Sequence, residues 1–396
     1  MIERSIFLSR KTITLEVFFL SLVLFFLMIK GGVGAEDWEI SYLPNIIYVV
    51  QSLSIYISVF FLILVCFFCF KSNFSYRISL TLFSVFLIFS WYNFRSFVVG
   101  SQDFKSLFSI IILTIVCFYF STFNKSRLII GLNSIKLAFI YWVGLNILMY
   151  ILGYGYPLTE NTSRFMGVSP HANTLGSIAA IGFAFYLILY RNNSYYKFNY
   201  FFVILMIFLL IFFVFISGSR AALAASFLSL ILVIPALYKI VPFIFSLFIY
   251  FFYINGFFSN FSIFKSLDRM KEAPLDNRNE VWLGLYQDFI NHPLIGSGDA
   301  SGVSGNGFLT AFGGTGFIGG TIFISIFILG LFYSIKSINF IGRKNILMEG
   351  YKAEFGILFL LLIFLSMFEG YIFDKLGFIQ LMLLISFAYI GPLNKR

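Results

Sequence analysis

Asp276-Asn277-Arg278-Asn279-Glu280 runs directly into Val281-Trp282-Leu283-Gly284-Leu285-Tyr286-Gln287-Asp288-Phe289, and this stretch interrupts an otherwise apolar chain. Its apolar residues 281, 282, 285, 286 and 289 recur at helical spacing, which predicts a helix lying on a membrane surface. Asn277 with Glu280 three places on has the form of a capping box. Asn291-His292-Pro293 marks the stop, because proline disfavours helical geometry in the residue before it. Arg278 is therefore expected in the first turn. Beyond the proline, Gly296 to Gly320 holds ten glycines in 25 residues. That density predicts backbone N–H groups close to a ligand, in an anion-binding concavity. The alternative for the whole polar interval, residues 258–307, is an external loop that binds nothing.

Working outward, the composition excludes a soluble domain. Hydrophobic residues make up 60% of the chain, 57 of them phenylalanine, and charged residues only 11%, whereas soluble domains are about a quarter charged. Crossing a hydrocarbon core of about 30 Å takes about 20 apolar residues. About twelve such runs centre on residues 12–29, 46–70, 78–94, 104–122, 135–152, 173–190, 198–217, 221–238, 241–257, 315–335, 353–369 and 376–392. The expected fold is all-α: a polytopic transmembrane helical bundle, one integral membrane domain over residues 1–396, with 258–307 as its large external loop.

Lys and Arg set the orientation, because short cytoplasmic loops accumulate them. Alternate connections, from Arg4, Arg10 and Lys11 to Lys395 and Arg396, hold 17 of the 27 cations and four of the 17 acids. Those connections are expected in the cytoplasm together with both termini. The opposite set holds 10 cations and 13 acids, and it includes the interval 258–307. The net charge of +10 thus reads as topology and not as a nucleic-acid footprint. Val33-Gly34-Ala35 before Glu36 resembles a signal-peptide cleavage site, but the preceding apolar run exceeds a usual h-region, so residues 12–29 are expected to be retained as a span. Cys66, Cys69 and Cys117 fall within predicted spans, where a redox pair or zinc half-site is not expected. Two histidines argue against a His-rich metal centre.

The first five spans read as scaffold with almost no ionisable group at depth. Arg95 follows the interfacial aromatics Trp91 and Tyr92 and is a weak candidate for binding. The third external loop carries Glu160 and then Ser163-Arg164-Phe165-Met166-Gly167-Val168-Ser169-Pro170-His171-Ala172-Asn173. The planar donor fork of Arg164 suits phosphate, and His171 can exchange a proton near neutral pH. Their structural alternatives are an interfacial Arg164 and a His171 that caps the next helix. The fourth external turn, Ser217-Gly218-Ser219-Arg220, holds a charge at the membrane boundary, a position that implies a partner or a role.

The succession Arg164-Phe-Met-Gly-Val-Ser-Pro-His-Ala-Asn173, Gly218-Ser-Arg220-Ala-Ala, Arg278-Asn-Glu-Val-Trp282, His292-Pro-Leu-Ile-Gly296-Ser-Gly298 and Asn306-Gly-Phe-Leu309 followed by Gly316 resembles the O-antigen polymerase and O-antigen ligase superfamily. The motifs are short and cover residues 164–320. The resemblance implies a metal-independent inner-membrane glycosyltransferase that needs no cofactor. Its donor and acceptor would be undecaprenyl-diphosphate-linked glycans held against membrane lipid, with a chain-length regulator as a further partner and no nucleic acid. It also implies that Arg164, Arg220 and Arg278 line an external cavity and hold the diphosphate, with Arg95 and Asn306 as further binding candidates. Ligases typically carry a histidine directly before the last-motif asparagine. Here that residue is Gly305, which favours the polymerase branch.

Glycosyl transfer from a diphosphate lipid needs cations for the departing charge and a base for the attacking hydroxyl. Guanidinium groups suit the first task, Arg278 among them. For the base the external loops offer His171, Glu160, Asp276, Glu280 and Asp299, with His171 ranked first. Tyr154, Tyr156, Trp282 and Tyr286 suit sugar stacking or interfacial anchoring equally. A ligase acting on lipid A-core is the nearest rival reading. A flippase for the same lipid is the rival from another class, but the chain shows no internal repeat by eye and few charges at span depth.

Overall fold

The computed structural model describes residues 10–30, 43–69, 80–99, 104–121, 125–156, 164–191, 199–233, 277–298, 306–338, 347–368 and 377–390. The predicted span at 241–257 lies outside them, as do Glu160, Asp276, Asp299 and Gly305 and the side chains of Arg278 and Glu280. Among the described residues the regular structure is all helix: α1 (Arg10–Met28), α2 (Asn45–Cys69), α3 (Leu80–Val99), α4 (Phe104–Ser121), α5 (Lys125–Ile151), α6 (Ala172–Arg191), α7 (Tyr200–Ser217), α8 (Arg220–Val233), α9 (Asn277–Asn291), α10 (Gly307–Ile338), α11 (Leu347–Phe368) and α12 (Phe378–Ile390). Each predicted apolar run other than 241–257 coincides with one of these helices. Two begin earlier than hydropathy alone suggests: α5 takes in Lys125 and Arg127, and α10 starts at Gly307 instead of residue 315.

Five of the helices are long and apolar enough to cross a membrane: Asn45–Phe67, Ile129–Ile151, Ala172–Arg191, Tyr200–Ser217 and Gly307–Lys336. Such helices satisfy their own backbone polar groups, a requirement for any segment in hydrocarbon. Their burial differs sharply. In the α6 span 83% of residues are buried, against 33–44% in the other four, so α6 is the hub and the others face outward on one side. Small residues explain this. Gly176, Ala179, Ala180, Gly182 and Ala184 let neighbouring helices approach closely. A methyl group added at Gly182 would lie 2.6 Å from the Phe139 ring and 2.9 Å from Leu210.

Around α6 stand α7, α8 and α11, while α1 packs on α2 and α5, and α3 packs on α4, α10 and α12. Aromatic contacts bind the layers: Trp142 of α5 meets Phe213 of α7 at 5.8 Å, Phe139 of α5 meets Phe378 of α12 at 5.5 Å, and Phe355 of α11 stacks on Tyr389 of α12 at 4.5 Å. Pairs of this geometry add about 0.5–1.5 kcal/mol each beyond area burial.

Candidate functional site

The segment between α5 and α6 is held inside the bundle. Residues 164–169 are all buried, and a buried backbone requires a hydrogen-bond partner for each polar group. Met166 and Gly167 N–H donate to the Gly155 carbonyl (2.7 and 3.1 Å), and Phe165 N–H donates to the Ile216 carbonyl at the end of α7 (3.1 Å). Val168 is gripped from both sides. Its N–H donates to Asn146 Oδ1 of α5 (3.0 Å), and its carbonyl accepts from Gln51 Nε2 of α2 (2.7 Å). Asn146 is itself oriented by donating to the Trp142 carbonyl (2.8 Å). Gly167 has φ +57°, and a Cβ there would lie 1.9 Å from Asn146 Oδ1. Only glycine both adopts that left-handed backbone easily and leaves room for the amide. Beside the segment, burial and then the neighbouring Tyr150 hold the Tyr156 phenol above its ordinary range, so it stays neutral.

Arg164 is 6% exposed, a position a cation holds only with partners. Its Nε donates to the Ser217 carbonyl (2.8 Å), and its Nη2 donates to Asn173 Oδ1 in the first turn of α6. It therefore bridges the end of α7 and the start of α6. His171 stands just before that start. Its Nδ1 accepts the Asn173 N–H (2.9 Å), and its carbonyl accepts the Leu175 N–H (3.1 Å). The structural alternative for His171, a helix cap, is realised, and imidazole fills the place usually taken by Ser, Thr, Asp or Asn.

The turn after α7 completes this corner. Gly218 closes α7 in the left-handed conformation, and the Ser219 hydroxyl caps α8 by accepting the Ala222 N–H (3.3 Å). Arg220 is then the first residue of α8, three residues from the carbonyl that holds Arg164. It is exposed, and among the described residues it meets no carboxylate. Gly176 of α6 packs on Ser217, Ser219 and Ala222, so the 217–220 turn is seated on the helix that His171 caps. Arg164, His171, Asn173 and Arg220 thus occupy one corner.

The second group of predicted residues gathers around α9 and α10. α9 begins at Asn277 and stops at Asn291, before His292-Pro293. Arg278 is in its first turn, as the sequence predicts. Of the apolar positions, Leu285 alone is fully buried, and Phe289 meets Phe312 of α10 at 5.6 Å. Trp282, Leu283, Tyr286 and Ile290 are exposed, leaving a largely apolar outer face.

In the described part of the glycine-rich stretch the backbone N–H groups go to carbonyls, while residues 299–305 of the expected anion-binding concavity lie outside the described residues. α10 is broken at Gly316 (φ 70°, ψ −170°), and segment 293–298 zips onto the break. Ser297 and Gly298 N–H donate to the Gly313 and Gly314 carbonyls (2.9 and 3.1 Å), while Phe317 N–H donates to the Pro293 carbonyl (2.7 Å). The N–H groups expected to reach a ligand are occupied by carbonyls that the broken helix leaves without intrahelical partners. A Cβ at Gly296 would lie 2.3 Å from the Gly314 backbone. Here glycine provides close chain contact. Arg95, near the end of α3, locks the junction by donating from Nη2 to the Gly296 carbonyl (2.8 Å). Asn306 caps α10, its Oδ1 accepting the Phe308 N–H (2.9 Å).

Both groups lie at one end of the bundle. Gln51, which holds Val168, is near the start of α2, and Tyr56 packs on Phe108 near the start of α4 at 4.9 Å. α3 packs on α4 and ends five residues before it begins, which brings Arg95 to the same end. Sequence reasoning missed Gln51 and Asn146, which it left within scaffold spans. The available signal was an uncharged amide inside an apolar run, a side chain that hydrocarbon penalises unless it is bonded. Among the described residues no group of three or more His, Cys, Asp or Glu is placed to hold a metal ion. Compared with models of known protein families and with curated proteins, the chain matches none.

Proposed function

We propose that this chain is a metal-independent enzyme of the bacterial inner membrane, polymerising undecaprenyl-diphosphate-linked oligosaccharide repeat units into O-antigen or a related surface polysaccharide. In this reading about twelve spans put both termini in the cytoplasm and the corner at Arg164 on the periplasmic face. One observation carries the proposal: a clamped, buried Arg164 and an exposed Arg220, which meets no carboxylate among the described residues, share a corner of an otherwise apolar bundle. Cations at such a boundary fit a ligand that is anionic at its head and apolar along its tail. A lipid diphosphate is of that kind.

The acceptor hydroxyl of the next repeat unit attacks the anomeric carbon of the growing chain. The carbon–oxygen bond to the diphosphate breaks, and its electron pair leaves on undecaprenyl diphosphate. Arg220 and Arg278 stabilise that charge, and Arg164 fixes the corner in which it develops. The hydroxyl proton passes to the departing diphosphate or to an external carboxylate such as Glu160. Preorganised donors of this kind contribute about 10²–10³ in rate each.

Deleting the gene in its host and resolving the surface polysaccharide on a gel tests the proposal. A polymerase deletion leaves lipid A-core bearing a single repeat unit, and wild type but not Arg164→Ala, Arg220→Ala or Arg278→Ala restores the ladder. Bare core with long chains on undecaprenyl diphosphate would make the protein a ligase. Repeat units trapped on the cytoplasmic face would make it a flippase.

A further inference from the structure

We infer that the outer side of α9, the turn that follows it and the part of α10 just past its break form one composite anchor seated in membrane lipid, which sets the depth of the first turn of α9. The anchor stands on exposure and connectivity. Its consequence for the diphosphate rests on the proposed glycosyl transfer.

The sequence expects one stripe, residues 281, 282, 285, 286 and 289, against the membrane. The structure divides it. Leu285 is buried and Phe289 meets Phe312 of α10, so that side of α9 belongs to the protein. At about 100° per residue, Trp282, Leu283, Tyr286 and Ile290 share the next arc, and all four are exposed. The arc beyond it is polar and also exposed, with Gln287 and Asn291. A helix with one side on protein, one apolar and one polar is suited to a boundary between hydrocarbon and water. Tryptophan and tyrosine are the residues enriched at that boundary.

What covers the apolar arc follows from what it joins. The chain leaves α9 in one further turn, closed by the Gly296 N–H donating to the His292 carbonyl at 3.0 Å. On that turn Leu294, 65% exposed, and Ile295 face outward. The Pro293 carbonyl accepts the Phe317 N–H at 2.7 Å, which seats the turn beside Phe317 and Ile318, each more than half exposed. Ile322, Leu329 and Phe332 then carry the same exposure along one side of α10 at helical spacing. That helix is long and apolar enough to cross a membrane, and the exposed side of a span meets lipid. The apolar surface thus passes from a span onto the turn and onto α9. A protein partner would account for α9 but not for the continuation along the span.

Arg278 lies in the first turn of α9. A helix seated in this way has its apolar side at the boundary of headgroups and acyl chains. Its first turn then stands at the level of a lipid-linked diphosphate, held there by a turn bonded to α10.

The test uses the full chain in lipid nanodiscs, with Cys66, Cys69 and Cys117 replaced by serine and single nitroxide labels introduced. Labels at Leu283→Cys, Ile290→Cys and Leu294→Cys are expected to collide more with oxygen, which dissolves in lipid, than with a nickel chelate in water. Gln287→Cys and Asn291→Cys should show the opposite order. Equal access of nickel to both sets would overturn the anchor, and so would shielding of 283 and 290 from both reagents, which would mean a second copy or another protein on this face. The chain with its native cysteines gives an independent check: brominated lipids should quench a component of tryptophan emission that Trp282→Phe removes, and the lack of that component would also overturn the anchor.

Placing Glu at both Leu283 and Ile290 sets charge in the apolar arc and is expected to lower transfer about a hundredfold, the scale of a small misplacement near a reacting group. Gln287→Glu should leave transfer unchanged. Wild-type transfer by the double variant would overturn the assignment of depth while the labels still judge the anchor. The gel phenotype of the deletion judges the polymerase reading separately.

Discussion

The corner at Arg164 and the junction at Gly316 lie at the same end of the bundle, and both combine glycine with arginine, yet they are held by different means. At the first, side chains hold the backbone: Gln51 and Asn146 grip Val168, and Arg164 grips Ser217. At the second, backbone holds backbone, with residues 297 and 298 paired to 313 and 314. Arg95 joins that pairing through a carbonyl. The corner leaves an exposed cation, whereas the junction absorbs its cation and its N–H groups into packing. Glycine density alone therefore does not tell the two regions apart, whereas the partners of their cations do.

The sharpest way to break the comparison is to add one methyl group to each region. At Gly296 the new Cβ meets the Gly314 backbone at 2.3 Å, and at Gly167 it meets the end of the Asn146 side chain at 1.9 Å. Backbone already paired in a junction cannot retreat, while an amide side chain can rotate away. Gly296→Ala is expected to destabilise by more than about 4 kcal/mol, at the severe end for a single substitution. Gly167→Ala adds backbone strain of about 1–3 kcal/mol and, as Asn146 turns away, a further loss of about 1–3 kcal/mol for the unpaired Val168 N–H, and still folds. Detergent-extracted protein followed by size-exclusion chromatography and thermal melting checks this. Monodisperse Gly296→Ala with a wild-type melting point would remove the distinction.

The arginines sharpen it next. Arg220→Ala is expected to lower transfer activity about a hundredfold, near 2.7 kcal/mol, with the melting point unchanged, because the side chain is exposed and opposes no described carboxylate. Arg95→Ala should do the converse. It removes the charged donor to Gly296, a bond worth about 1.5–3 kcal/mol, and the melting point falls with only a secondary loss of activity. If Arg95→Ala were inactive at full stability, the junction would belong to the site.

Most of the helical layout was legible because hydropathy in spans is set by the solvent around them, a signal each residue carries alone. Helix α9 was legible for a local reason: the helical spacing of its apolar residues and the proline after it are read from adjacent sequence. The break at Gly316 was not, because residues 307–315 are short of a span length and their stability comes from segment 293–298. The roles of Gln51 and Asn146 were hidden for the same reason. Each bonds to Val168, and the separations of 117 and 22 residues leave no periodic trace. His171 was legible as a residue of interest, and its capping role follows from a backbone N–H two residues on.

Those two amides offer a smaller test of the corner. Asn146→Ala leaves the buried Val168 N–H without its acceptor, a loss of about 1–3 kcal/mol, and Gln51→Ala removes the donor to the same residue's carbonyl. Since both act on one residue, the double variant should fall short of the sum by about 0.5 kcal/mol or more. Additive losses would mean that the segment is held piecewise and not as a clamp.

The smallest effect belongs to Asn306, and it bears on whether the junction contributes anything to binding. Its Oδ1 caps the first turn of α10, and the Thr310 N–H donates to its carbonyl at 2.9 Å. Asn306→Ala is expected to lower stability by about 1 kcal/mol, the usual value of a cap, and Asn306→Asp should restore it because a carboxylate at a helix N-terminus caps as well and complements the dipole. For a residue that binds diphosphate the order inverts: aspartate repels the ligand and alanine is the milder change. Melting points and transfer rates of the two variants, read side by side, therefore assign Asn306 either to the packed junction or to the anionic substrate.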